Sequence, residues 1–159
     1  MTNDEIYSAV AVSSWKQIIE RLDKMFASVP DEGLNQPVAP GRNRLYYLLG
    51  HLTAVHDRMF PLLGLGDRLH PELDQPFLEN PDKASDNKIP AANLRSAWKE
   101  VNSKLTAAFE SLKPVQWLER HTSVSEQDFA KEPLRNRLAV LQSRTNHASF
   151  HAGQIRLTQ

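Results

Sequence analysis

Residues 134–155 read LRNRLAVLQSRTNHASFHAGQI. Within this stretch Leu134, Leu138, Leu141, Thr145, Ala148, Ala152 and Ile155 recur at alternating steps of four and three, the seam of a helix in an antiparallel bundle. Pro133 suits the first turn of such a helix, so the spacing predicts that the helix begins there. On a helical wheel His147 and His151 lie roughly 80–120° from the centre of the seam, the offset expected of side chains at a bundle's mouth. Being four residues apart, their imidazoles project from one face and can converge on a single ion.

Three further stretches share this periodicity. Thr2 and Glu5 have the spacing of a capping box, and Ile6, Val10, Trp15, Ile18, Ile19, Leu22, Met25, Phe26 and Val29 form the stripe of a long amphipathic helix that Pro30 ends. A second helix is expected from near Asn43, with Leu45, Leu48, Leu49, Leu52, Val55, Met59 and Leu63 on one side. A third runs over about 91–112 through Leu94, Trp98, Val101, Leu105, Ala108, Phe109 and Leu112, and Pro114 stops it. Between the second and third, residues 64–90 lose periodicity and gain Pro71, Pro76, Pro81 and Pro90. A crossing of that length suits the lining of a pocket as well as a plain connection. In 114–132, Val115, Trp117 and Leu118 suggest an apolar plug, and Ser125 to Asp128 a short capped turn. No run alternates as a strand does. The predicted fold is all-α, a four-helix bundle with a long crossing between helices two and three, in one domain over 1–159.

Composition narrows the function classes. Nineteen Lys plus Arg balance nineteen Asp plus Glu, so no global field favours nucleic acid or an anionic membrane, and a small molecule is the expected partner. There is no cysteine, which removes thiolate ligands and a Cys nucleophile and agrees with a reducing compartment. The start of the chain lacks a signal-peptide pattern, and no stretch approaches the ~18 apolar residues of a membrane span. The expectation is a soluble cytoplasmic protein, with a homodimer left open.

Histidine must therefore carry any transition-metal site. A third imidazole comes from helix two, where His51 flanks the apolar stripe and His56 lies nearer its centre. Both are candidates, but five residues apart they cannot both face one ion. Ala148 stands where the zincin motif has its glutamate, so that metalloprotease chemistry is not supported. No nucleophile arrangement and no glycine-rich phosphate loop is present.

Leu49-Gly50-His51-Leu52, the Pro40-Gly41-Arg42-Asn43 approach to helix two, Trp15, and His147-Ala148-Ser149-Phe150-His151-Ala152-Gly153-Gln154-Ile155 together make the chain resemble the DinB-like superfamily, which includes the YfiT-like proteins. That resemblance covers nearly the whole chain. It implies a divalent ion held by His51, His147 and His151. Family members often carry another His or Glu beside the first C-terminal histidine, where this chain has Asn146 and Ala148. Characterised relatives include metal-dependent transferases that use low-molecular-weight thiols such as bacillithiol and mycothiol, and a thiol-dependent isomerase. The resemblance thus implies a thiol S-transferase or related hydrolase, in which zinc or nickel lowers the pKa of a thiol or water for attack on a small electrophile. The alternative is a stress-related bundle that binds a small ligand without turnover. Gln154, one turn after His151, is positioned either to hydrogen-bond toward the site or to pack between helices.

Overall fold

The computed structural model describes residues 1–84 and 89–158. The α-helices are α1 Asn3–Ala27, α2 Leu45–Asp57, α3 Met59–Leu62, α4 Ala91–Ser111, α5 Pro114–Trp117, α6 Glu126–Lys131 and α7 Arg137–Arg156. Two 3-10 turns, Asp31–Asn35 and Pro71–Leu73, and a π-helical turn, Gln75–Glu79, complete the regular structure. Among the described residues there is no strand, only isolated bridges between Pro37 and Arg44 and between Arg120 and Asn136. The fold is an all-α bundle of four long helices, and part of the crossing 64–90, residues 85–88, lies outside the described residues.

Local chemistry sets the helix boundaries. The capping box at the start of α1 forms as the spacing requires: Thr2 Oγ1 accepts from the Glu5 amide at 3.3 Å, and Glu5 Oε2 accepts from the Thr2 amide at 2.7 Å. The apolar stripe is buried only from Trp15 onward; Ile6 and Val10, assigned to it by periodicity, are exposed. Helix two is not continuous to Leu63. It stops at Asp57, because Pro61 has no N–H to offer the Asp57 carbonyl, and the chain restarts as α3. The last helix begins at Arg137 rather than Pro133. Asn136 is the cap, its Oδ1 accepting from the Ala139 amide at 2.9 Å and its Nδ2 donating to the Pro133 carbonyl at 3.0 Å. Pro133 and the exposed Leu134 belong to the preceding turn. Of the expected plug, Trp117 alone is buried, packed on Phe109 with ring centroids 5.4 Å apart, while Val115 and Leu118 face solvent. Ser125 caps α6 as expected, its Oγ accepting from the Asp128 amide at 3.1 Å.

Side-chain pairs give the helix directions. Trp15 meets Thr106 and Asp23 meets Trp98, so α1 and α4 are antiparallel. Tyr46 reaches Ile89 and His56 reaches Asn102, so α2 and α4 run the same way. The C-terminal third of α1 lies beside Arg156, at the end of α7, so α1 and α7 are parallel neighbours. Two adjacent helices that run the same way need a connection as long as themselves. This is why the segment between α2 and α4 is long.

That crossing is tied along the length of α2. Arg44 donates to the Asp82 carboxylate from its backbone amide at 2.8 Å and from its guanidinium at 2.7 Å. The phenols of Tyr46 and Tyr47 each donate at 2.8 Å to a crossing carbonyl, of Ile89 and Asn80 respectively. At the far end the fully buried Asp57 accepts from Arg68 Nε and from the amides of Leu69 and His70 at 2.8–3.0 Å. In between, Gly50 gives Phe77 its place. A Cβ at residue 50 would lie 2.4 Å from the Phe77 ring, so only glycine lets the π-helical turn come this close.

Candidate metal centre

His51 comes from the middle of α2, and His147 and His151 from successive turns of α7. Their Nε2 atoms converge. His147 Nε2 lies 3.3 Å from His51 Nε2 and 3.1 Å from His151 Nε2, and the three ligand atoms all fall within 4.8 Å of one another. Two nitrogens each ~2.05 Å from one ion would be about 2.9 Å apart at a right angle and about 3.3 Å apart at a tetrahedral one. The two spacings to His147 fit between these values.

Hydrogen bonds on the other side of the rings fix which nitrogen faces the centre. The Phe77 carbonyl can only accept, so His51 Nδ1, 3.0 Å away, carries its hydrogen. Gln154 Oε1 accepts from His151 Nδ1 at 2.7 Å. The Nε2 of His51 and that of His151 are therefore lone pairs aimed at His147, whose own Nδ1 is buried without a partner. With its hydrogen on Nε2, His147 can donate to one of these lone pairs; with the hydrogen on Nδ1, all three Nε2 lone pairs are turned toward one point, as an ion requires. Burial lowers the pKa of all three rings, neighbouring imidazoles also oppose a charge on His147 and His151, and His147 is pushed down to about 4, so the rings are neutral at pH 7. The donor set suits a divalent ion at neutral pH, and these three histidines could hold one.

Residues 14–155 match the sequence model of the DinB superfamily. The chain belongs to the DinB superfamily. No curated protein matches it.

Of the two candidates on helix two in this DinB bundle, His51 joins the pair from α7 and His56 does not. His56 is fully buried, with Trp15 and Trp98 at ring-centroid distances of 4.8 and 5.4 Å. Asn102 Nδ2 donates to the Trp98 carbonyl at 2.8 Å, which turns its Oδ1 toward His56 Nδ1, also at 2.8 Å. Burial pushes the His56 pKa down to about 3. Residues beside the first histidine of α7 contribute nothing to the cluster, since Asn146 is exposed and Ala148 is buried in the core. Gln154 and the Phe77 carbonyl occupy the positions behind the rings instead. Gln154 thus contacts a candidate ligand, but as an acceptor from the ring rather than a donor toward the centre. Tyr47 stacks on His51 at 6.0 Å with an interplanar angle of 13°. Trp117 is a core residue. No helix among the described residues is long and apolar enough to cross a membrane.

Sequence reasoning missed Phe77 and Arg144. Phe77 contributes a backbone carbonyl, which no residue type announces. Arg144 sits three residues before His147, a position where an arginine ordinarily reads as part of a solvated face.

Proposed function

We propose that this chain is a metal-dependent enzyme that activates a low-molecular-weight thiol, or water, for attack on a small electrophile, with zinc or nickel held by His51, His147 and His151. The observation that carries this reading is the convergence of three Nε2 atoms, two of them in tautomers fixed by Phe77 and Gln154. An ion bound by three imidazoles would retain open positions and would act there as a Lewis acid, lowering the pKa of a thiol or water. The chain's own residues supply the arrangement. Phe77 and Gln154 hold their histidines in register, and depressed pKa values keep all three neutral at pH 7, so no ring must lose a proton before it ligates. Among the described residues no carboxylate hydrogen-bonds these rings. The reading therefore relies on lowering the nucleophile's pKa rather than on a carboxylate base.

The test combines zinc or nickel loading with turnover of a small alkyl halide in the presence and absence of a thiol. The expected result is thiol-dependent product formation that requires the ion and disappears in His147→Ala. Stoichiometric metal and tight binding of the halide or thiol, with no product from any thiol, would replace the enzyme by a small-ligand-binding bundle. Failure to take up either metal would overturn the site itself.

A further inference from the structure

Arg144 shares the face of α7 that carries the histidines. At about 100° per residue, Arg144, His147 and His151 fall within about 60° of one another on the helix, with Arg144 one turn earlier. Its side chain is half-buried, and its Nε is buried without a hydrogen-bond partner. Among the described residues no carboxylate pairs with it, because the acidic groups of that end are already engaged. Asp57 takes Arg68 and two backbone amides, and Asp74 is shared between Arg58 and Arg68. These two carboxylates serve Arg58 and Arg68, and neither serves Arg144. The helix itself sets Arg144 one turn before His147 on the face that carries His147 and His151. A guanidinium nitrogen buried without an acceptor is costly, and the planar fork of an arginine matches a carboxylate.

We propose that Arg144 is the recognition residue for a carboxylate on the molecule whose reacting end lies at His51, His147 and His151. The inference deepens the reading of that site and rests on it for the position of the reacting end. It makes the substrate or thiol cosubstrate an anion, bound at two points about one helical turn apart. No charge on this molecule is needed for the ion itself. It is needed to complete Arg144.

Calorimetric titration separates the two points. The probes are 3-mercaptopropionate, 2-mercaptoethanol and propionate, added to zinc-loaded wild type, Arg144→Gln and Arg144→Lys, and to metal-free His147→Ala. Wild type is expected to bind 3-mercaptopropionate roughly 10- to 100-fold more tightly than 2-mercaptoethanol, the range that one charge-assisted pair supplies. Arg144→Gln should lose that preference while keeping its zinc, and Arg144→Lys should recover part of it. Propionate should bind weakly to wild type and to metal-free His147→Ala, and not to Arg144→Gln. Should no variant bind zinc while propionate binding still depends on Arg144, the carboxylate site stands and the metal reading falls. Equal affinity of wild type for the two thiols, or a preference retained in Arg144→Gln, would overturn the proposal.

Discussion

His51 and His56 are five residues apart on one helix, share a tautomer, and end in opposite circumstances. Each presents its Nδ1 to an oxygen, of Phe77 in one case and Asn102 in the other, and each is left with an Nε2 lone pair. His51's lone pair faces two more imidazoles in a partly buried cluster, whereas that of His56 is buried without a partner, in a pocket of indole rings. The capacity to hold an ion is thus not a property of histidine, nor of its tautomer. It depends on what the free nitrogen meets.

The most severe way to break this contrast is to remove a ring on each side. His147→Ala should reduce the metal content of the purified chain from near one equivalent to near none, a larger loss than the roughly 10- to 100-fold attached to an outer partner; elemental analysis reads it directly. His56→Ala should leave metal content unchanged and lower stability by about 3–5 kcal/mol in denaturant unfolding, since it empties a dry aromatic site and orphans Asn102 Oδ1. Metal loss that followed residue 56 instead of residue 51 would reverse the assignment.

A gentler probe is pH. The His56 pKa is about 3 in the folded chain against an ordinary 6.5, so between these values the unfolded chain binds a proton that the folded chain refuses. The His56 contribution to stability is therefore level above about pH 6.5 and declines as pH falls toward 3, by roughly 2 kcal/mol at pH 5, with the lowered pKa values of the triad adding to it. Chelator-treated protein unfolded by urea at pH 7 and pH 5 should show the decline, and His56→Phe should show a smaller one. The finest distinction concerns what stands behind a ligand. Gln154→Leu removes the acceptor from His151 Nδ1 and should weaken zinc binding about 10-fold with little change in folding, measured by competition with a chromophoric chelator.

Much of the bundle was legible in the sequence because a helix repeats its burial every three or four residues, and Trp15, Leu22, Leu52, Leu105 and Leu141 all obey that period. The pairing of His147 with His151 follows from the same geometry. The choice of His51 over His56 could not be made from spacing, because it depends on Asn102, forty-six residues beyond His56. Helix ends were misplaced where a side chain outranked the pattern, as Asn136 did at the start of α7 and Pro61 after α2. The role of Phe77 was invisible for a different reason. Its contribution is a carbonyl released by a π-helical turn, and the nearest sequence sign is Gly50, whose lack of a side chain admits the ring.

The parallel contact between α1 and α7 has a bearing on how the chain acquires its structure. Residues near the beginning cannot cover their α7-facing side until residues 137–155 have been made, so a chain leaving the ribosome carries a half-dressed first helix through most of its synthesis. Closing so long an intervening loop is entropically unfavourable and is compensated only when both helices are in place. Folding should therefore complete late, and stalled or shortened chains that end before α7 should expose Trp15 and Leu22 and be drawn to chaperones or aggregates.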